Sequence, residues 1–315
     1  GLYAQASYKP LPNLSLIAGG RVDYNEATGG VAINLERIEG GEFRRELVDS
    51  GFGTLFSPRL AIVYQPRRYT VKLIYAEAFK DPSDFEKFST ASVEALFETF
   101  NVANPRLRPE RTRSVELSAG WQGEAGTSLG LSAYQARYED IVALAPVCYR
   151  FDLSGSSPGG IRVPCEQDHT LQFQQFQNLV EMEVRGVELR ADARIGALSL
   201  FGNLNYTDPT AVTLAGSEVR IGDIASWRAN AGVDLPLWKR AGLNLRGNYV
   251  GARKTGEGTT VGTNPLRSID AYWVLNAALR YEDLVAGATV QLIVNNLLDR
   301  AYEHPGVLTA DGEDL

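Results

Sequence analysis

One pattern constrains this chain more than any other: apolar and polar residues alternate one by one in many separate stretches. In residues 227–235, Trp, Ala, Ala, Val and Leu occupy the odd positions, and Arg, Asn, Gly and Asp occupy the even positions. A period of two predicts a β-strand whose two faces meet different surroundings. In a water-soluble sandwich the apolar face packs on a second sheet, whereas in a membrane barrel it meets lipid and the polar face lines a wet interior.

Twelve such stretches predict twelve antiparallel strands. They are residues 2–9, 14–25, 55–65, 69–80, 111–121, 127–139, 184–194, 198–206, 224–235, 243–251, 269–281 and 286–295. Six connections are hairpin-sized turns containing Pro, Gly or other turn-forming residues, at 10–13, 66–68, 122–126, 195–197, 236–241 and 282–284. The other five are long, at 26–54, 81–110, 140–183, 207–223 and 252–268.

Short and long connections alternate strictly, so all long loops lie at one end of the sheet. Long loops are unusual in compact domains, but outer-membrane barrels have short turns on one side and long loops on the other. Aromatic residues of the apolar face also cluster near strand ends, as in interfacial girdles; they are Tyr8, Tyr24, Tyr69, Phe79, Trp121, Tyr206, Trp227, Tyr249, Trp273 and Tyr281. The sequence therefore predicts an all-β, antiparallel, up-and-down transmembrane β-barrel.

Composition excludes several functions. A net charge of -7 and a pI near 5.1 argue against nucleic acid as a partner, since phosphate binding needs a basic surface. No apolar run approaches the roughly 18 residues of a membrane-spanning helix, although a barrel strand needs only about 10 alternating residues. His169 and His304 lack a second His at ligand spacing, and no catalytic constellation or phosphate loop is present. We therefore predict no catalytic residue, metal site or cofactor.

The two cysteines, Cys148 and Cys165, lie 17 positions apart in one long loop. A lone pair in an exposed loop favours a disulfide formed in an oxidising compartment. The alternative is two unrelated free thiols.

Ligand contacts are expected from lumen-facing residues near the long-loop end and from the long loops themselves. Cations and aromatic side chains suit anionic or catecholate ligands, and the candidates are Arg113, Tyr149, Arg150, Phe151, His169, Arg220 and Arg253. The alternative for each is a role in organising its own loop. Residues 81–88 and 92–100 are predicted to form short helices, with Ser92 capping the second.

Four segments resemble a known family. They are SPRLAIVY at 57–64 leading to AFKDPS at 78–83, NPRLRPER at 104–111 followed by SVEL at 114–117, Asn178 followed by VRGVEL at 184–189, and VNNLLDRAY at 294–302. Each is a weak signal alone, but together and in this order they resemble the β-barrel domain of TonB-dependent outer-membrane receptors.

The resemblance implies a barrel of about 22 strands filled by an N-terminal plug, which imports ferric siderophores or cobalamin. It implies that residues 1–315 are a partial barrel of about 12 strands, with the plug, the early strands and the final strand outside this chain. The implied partners are outer-membrane lipid, the inner-membrane TonB complex acting through the plug, and a metal chelate or similar small ligand. The implied location is the outer membrane of a Gram-negative-type bacterium.

Two other functions stay open at this point. One is a different outer-membrane barrel, such as a passive porin or an outer-membrane enzyme. The other is a soluble all-β interaction module, in which a second protein layer would cover the apolar face around Val233, Leu245, Leu275 and Leu292.

Overall fold

The computed structural model describes residues 1–39, 42–88, 101–152, 159–167, 170–212, 218–254 and 268–304. Nineteen strands and one short helix occur in these ranges. The strands are β1 (Leu2–Leu11), β2 (Leu14–Asn25), β3 (Gly30–Glu39), β4 (Glu42–Val48), β5 (Gly53–Tyr64), β6 (Tyr69–Lys80), β7 (Asn101–Val102), β8 (Glu110–Gln122), β9 (Ser128–Asp152), β10 (Gly159–Val163), β11 (Leu171–Ile195), β12 (Leu198–Val212), β13 (Glu218–Arg220), β14 (Trp227–Trp238), β15 (Ala241–Val250), β16 (Arg253–Lys254), β17 (Ser268–Ile269), β18 (Tyr272–Tyr281) and β19 (Val290–Val294). The helix is α1 (Asp84–Phe88). None of the described helical structure is long and apolar enough to span a membrane.

The main sheet confirms the predicted strands and their order. Its path is β1-β2-β5-β6-β8-β9-β11-β12-β14-β15-β18-β19, which are the twelve predicted strands, and every neighbouring pair is antiparallel. Strands β7, β10 and β13 add to its long-loop end. Among the described residues β1 and β19 do not pair, so the sheet is a partial, open barrel wall.

The predicted lengths of two strands are wrong. β9 and β11 each run for 25 residues, through most of the predicted loop 140–183. The ladder between them continues past bulges near Asn178 and Val180, and Asp140 adopts a left-handed φ of 59°. Because a bulge breaks the alternation of side chains, the period-two pattern is lost where the strand continues.

The other predicted loops also contain structure of their own. Loop 26–54 contains the hairpin β3–β4, and β12 extends to Val212. Helix α1 confirms the helix predicted within 81–88, in a shorter form. The helix predicted at 92–100 lies outside the described residues.

Along the strands the apolar side chains are exposed and the polar ones are half-buried, which is the reverse of the pattern in the sheet of a soluble protein. On β8, Leu117 is 52% exposed, while the polar residues before and after it are half-buried. Leu131 of β9, at 49%, and Trp273 of β18, at 51%, show the same inversion. Apart from strands paired in a ladder, the substantial contacts between described elements are β3 with β10 and α1 with β3, at the long-loop end. We find no second layer on the apolar face among the described elements.

The polar face is hydrogen-bonded within itself. A row of asparagines crosses four strands, β12, β14, β15 and β18, and ends at the turn after β19. Asn230 donates to Asn203 (2.9 Å), Asn248 to Asn230 (2.5 Å) and Asn276 to Asn248 (3.1 Å), and the Asn276 side chain accepts from the Asn296 amide (2.8 Å). A sheet face with its own polar network is suited to a wet interior rather than to an apolar core.

The well-buried apolar cluster lies among the loops, not between strands of the barrel wall. It contains Val102, Val147, Tyr149 and Phe173, with Leu35 and Phe151 packed against it. Its residues come from β3, β7, β9 and β11, so this cluster fixes several long loops relative to one another.

Candidate functional site

The long-loop end is built on the extended parts of β9 and β11. Val147 lies opposite Phe173 and Ala145 opposite Gln175, so these four side chains share one face. The bulges near Asn178 and Val180 shift the alternation of side chains along the two strands. When this shift is included, the face with Val147 and Gln175 continues into the polar face of the sheet that carries Glu188. β7 pairs in parallel with β11 there, which brings the segment 101–108 beside the upper part of β11.

Two motif residues, Asn104 and Asn178, fasten this segment to β11 by side-chain hydrogen bonds, and we call this pair the clip. The Asn104 side chain donates to the Phe176 carbonyl (2.8 Å). The Asn178 side chain accepts from the Arg108 amide (2.9 Å) and donates to the carbonyls of Arg108 (2.9 Å) and Asp140 (2.6 Å). Two of these bonds, to the carbonyls of Phe176 and Asp140, are partly buried, where an unpaired polar group would be costly. Together the bonds hold residues 104–108 in one position. The two asparagines therefore have a structural role.

A buried lysine holds the neighbouring loops together. Lys87 of α1 is 2% exposed, and its Nζ donates to both oxygens of Asp81 (2.8 and 2.9 Å) and to the Ser50 carbonyl (3.1 Å). Its own carbonyl accepts from the Asn104 amide (2.8 Å). The Lys87 side chain thus links the ends of β4 and β6, and the Lys87 backbone links this part of the molecule to the segment 101–108.

A capping box fixes the start of α1. The Ser83 amide and hydroxyl donate to Glu86 (2.6 and 2.8 Å), and the Glu86 amide donates to the Ser83 hydroxyl (3.3 Å). Burial raises the pKa of Glu86, but the two Ser83 bonds and the nearby lysine charges lower this pKa by more, so it lies below its ordinary value. The carboxylate is therefore charged at neutral pH and stabilises the cap.

The structure places an arginine-rich groove beside this clip. The groove has a volume of about 400 Å³ and is lined by Asn104, Arg106, Arg108, Arg162, Gln175, Gln177, Asn178 and Leu179. Arg108 pairs with Asp140 (2.5 Å), whereas Arg106 and Arg162 form no ion pair with any described carboxylate. Unpaired guanidinium groups beside amide side chains suit an oxyanion. Two larger cavities, of about 980 and 780 Å³, lie towards the short-turn end and mix cations with carboxylates such as Asp192 and Asp234.

The predicted disulfide is present and supports one wall of the groove. Cys148 of β9 is bonded to Cys165, with the two Cα atoms 5.1 Å apart. β10 pairs with β9 between these cysteines, and this pairing sets Arg162 opposite Tyr149.

Loss of this disulfide should release β10. Closing a loop of this size contributes about 3 kcal/mol in the chain-entropy model, so the double variant Cys148→Ser/Cys165→Ser should lose protection against amide hydrogen exchange in residues 159–163. Residues 198–206 of β12, which are far along the sheet, serve as the internal control. Unchanged protection of 159–163 would contradict this role.

The seven candidate ligand contacts fall into separate places. Tyr149 and Phe151 are together in the buried cluster, with ring centroids 6.2 Å apart. Arg150 lies between them and is exposed on the opposite face of β9. His169 lies outside the described residues.

Two of the remaining candidates lie on the apolar side of the wall. Arg113 shares a face of β8 with Leu117 and lies near the carboxylates of Glu139 (3.3 Å) and Glu77 (3.9 Å). Arg220 of β13 lies near Asp208 (3.8 Å). Both arginines thus have acidic partners on their own face.

Arg253 is in a different environment again. It is 7% exposed, its Nη2 donates to the Glu303 carbonyl (3.0 Å), and its guanidinium lies over the Tyr272 ring at 5.8 Å. Sequence reasoning missed Arg106, Arg162, Gln175 and Gln177; Arg106 lies within the recognised motif, but no local pattern marks the other three.

Comparison with known proteins agrees with this geometry. Residues 1–297 match the family described as TonB dependent receptor-like, beta-barrel. The chain is 26% identical over 231 residues to the vitamin B12 transporter BtuB of Vibrio vulnificus (strain YJ016), covering 70% of this chain and 32% of BtuB. Thus the chain spans about a third of that relative.

Solved structures show the same fold. A mutant of the ferric enterobactin receptor PfeA of Pseudomonas aeruginosa superposes with a TM-score of 0.68 at 17% identity, over 99% of this chain and 41% of PfeA. The siderophore receptor PirA of Acinetobacter baumannii gives 0.65 at 15% identity, over 95% of this chain and 41% of PirA. By its sequence match and its fold, this chain belongs to the family of TonB-dependent receptor β-barrels.

Proposed function

We propose that this chain is part of an outer-membrane receptor that binds a scarce nutrient outside the cell and takes it up by TonB-coupled transport. The observation that carries the proposal is the sheet itself, whose apolar face is exposed and whose loops pack together at one end. Relatives named as a vitamin B12 transporter and as siderophore receptors support transport rather than catalysis.

In this proposal hydrocarbon covers the apolar face. On β12 the run from Leu198 to Tyr206 covers nine residues, which at about 3.3 Å each and with a tilted strand gives about 25 Å. That is the height of the apolar band in outer-membrane barrels. Tyr206 packs on Trp227 at its long-loop end, with ring centroids 4.8 Å apart, as expected of an interfacial girdle. The extended parts of β9 and β11 then stand outside the bilayer.

The nutrient is a metal chelate or similar small ligand, held at the long-loop end. The surplus cations of Arg106 and Arg162 favour an anionic chelate such as a ferric siderophore, and cobalamin is the second choice by the likeness to BtuB. Of the seven candidates of the sequence analysis, Tyr149, Phe151 and Arg253 lie towards the polar side of the wall and remain proposed contacts around the ligand. His169 also remains a proposed contact, whereas Arg113, Arg150 and Arg220 face the apolar side. Energy reaches the barrel from the inner-membrane TonB complex through a plug domain.

Uptake in whole cells tests this function. Cells that carry the full-length receptor as their sole route for ferric enterobactin or vitamin B12 should accumulate one of these two probes, and only when the TonB complex is functional. Accumulation that is independent of the TonB complex would contradict the proposal and favour a passive porin.

Neutralising the groove should weaken binding of an anionic chelate. Each charge-assisted hydrogen bond is worth about 1.5–3 kcal/mol, so we expect the double variant Arg106→Gln/Arg162→Gln to bind ferric enterobactin at least about tenfold more weakly. Arg111→Gln is the matched control, because Arg111 is exposed on the apolar side of β8. Equal affinity of the double variant and the control would remove the groove from the binding site.

A further inference from the structure

Arg253 is a buried cation without an anion. Among the described residues no carboxylate lies within ion-pair distance of it, and its buried Nη1 has no hydrogen-bond partner. Its known contacts are the bond from Nη2 to the Glu303 carbonyl and the face of the Tyr272 ring. The other buried charged side chains among the described residues have partners of opposite charge: Lys87 pairs with Asp81, and Asp23 pairs with Arg21.

The surroundings hold this guanidinium in place. Tyr272, 8% exposed, stacks on Tyr302 with ring centroids 4.6 Å apart and an interplanar angle of 20°. His304 packs edge-on against both rings, at 5.9 and 5.3 Å. Tyr302 is 44% exposed, so the cluster borders the surface.

The cluster lies at the long-loop end of the polar face. Tyr272 pairs with Val250 at the top of β15 and β18, and two and four residues further along β18 the same face carries Val274 and Asn276. Asn276 belongs to the asparagine row of the polar face. A ligand that enters from this end therefore passes the cluster on the inner side of the wall.

The orphaned nitrogen points to a missing oxyanion. Arginine does not lose its proton in proteins, so it cannot relieve an unpaired buried position by becoming neutral. The guanidinium group has five N–H donors, and one carbonyl and one aromatic face satisfy only part of them. An oxyanion, either a planar carboxylate or a tetrahedral phosphate, presents two oxygens that accept from two guanidinium N–H groups at once.

We propose that Arg253 forms a second anion-binding subsite, which takes a carboxylate or phosphate oxygen of the imported ligand. Tyr272 and Tyr302 act as positioning residues that keep the guanidinium in its orientation. The inference rests on the proposed function for its source of ligand. It is separate from the arginine groove, which is built from residues of β10, β11 and the segment 101–108.

The test uses the purified full-length receptor in detergent, with inorganic phosphate and sodium acetate as probes and sodium chloride at equal ionic strength as the reference. It is carried out in the Arg106→Gln/Arg162→Gln background, so that the groove does not contribute. We expect phosphate or acetate to raise the thermal unfolding midpoint above that in chloride. Arg253→Gln should abolish this shift, and Arg253→Lys, which keeps the charge but loses the fork, should reduce it. Arg111→Gln should keep it.

The proposal would be overturned if the background protein had the same unfolding midpoint in phosphate, acetate and chloride. The same result is expected if another part of the receptor occupies the subsite permanently, and the subsite would then not bind a ligand. An unchanged shift in Arg253→Gln would overturn it as well. If Arg253→Gln does not fold, the proposal is decided by two other results: whether the background protein responds to phosphate or acetate, and whether Arg253→Lys reduces that response. The result is independent of uptake, because a receptor that fails in cells can still show the anion-specific shift.

Discussion

Replacing Leu117 with arginine should prevent this barrel from assembling in the membrane. Leu117 lies in the middle of β8 on the apolar face, opposite Leu73 and Ala133. An arginine at the bilayer midplane of a barrel costs about 2–4 kcal/mol. We expect little heat-modifiable, folded Leu117→Arg receptor in outer-membrane fractions. On a water-exposed surface, the same change at a residue that is already half exposed would cost almost nothing.

Ser132→Arg is the matched control. Ser132 lies next to Ala133 on β9 at the same height, but on the polar face, opposite Ser118 and Glu188. A cation there gains a carboxylate neighbour, so this variant should assemble normally. If Leu117→Arg assembled as well as Ser132→Arg, hydrocarbon would not cover the apolar face and the receptor proposal would fail.

Replacing Asn178 with alanine should detach the segment 101–110 from the wall. The change removes three hydrogen bonds, two to exposed backbone groups of Arg108 and one to the partly buried carbonyl of Asp140. We estimate a local cost of about 2–4 kcal/mol. Amide hydrogen exchange in residues 101–110 should accelerate by a factor of about 30 to 1,000, and ligand affinity should fall because Arg106 and Arg108 lose their positions.

Gln172→Ala on the same strand is the control for this variant. Gln172 is exposed, and its side chain makes no hydrogen bond to a described residue, so exchange in 101–110 should not change. Equal exchange in the two variants would mean that the buried cluster around Val102 and Phe173 holds the segment without help from Asn178.

Sequence reasoning succeeded where the signal is local. Alternation marked the twelve barrel strands, and Pro, Gly and Asn marked their turns, because both patterns depend on neighbouring residues. The spacing of the two cysteines and their place in a loop were enough to predict the disulfide. The upper part of β11 was missed because its bulges near Asn178 and Val180 interrupt the alternation.

The proposed site was harder to predict, because its parts meet across long stretches of chain. Arg106 and Gln177 are more than 70 positions apart, and only the clip of Asn104 and Asn178 brings them to one groove. Candidates in the loops could not be assigned to a face from the sequence, and the strand candidate was chosen by residue type without regard to its face. Arg113 has a suitable side chain, but its parity with Leu117 places it on the apolar side of β8.

Three features of the barrel wall can be read from local sequence: which residues form strands, which side of each strand is apolar, and at which end the long loops lie. These properties follow from a two-residue period and from the count of connections, so they need no knowledge of distant contacts. The packing of the long loops at the end of the wall could be seen only in the three-dimensional structure. That arrangement depends on hydrogen bonds and buried side chains contributed by remote segments, such as Lys87 with Asp81 and Ser50, or Arg253 with Tyr272.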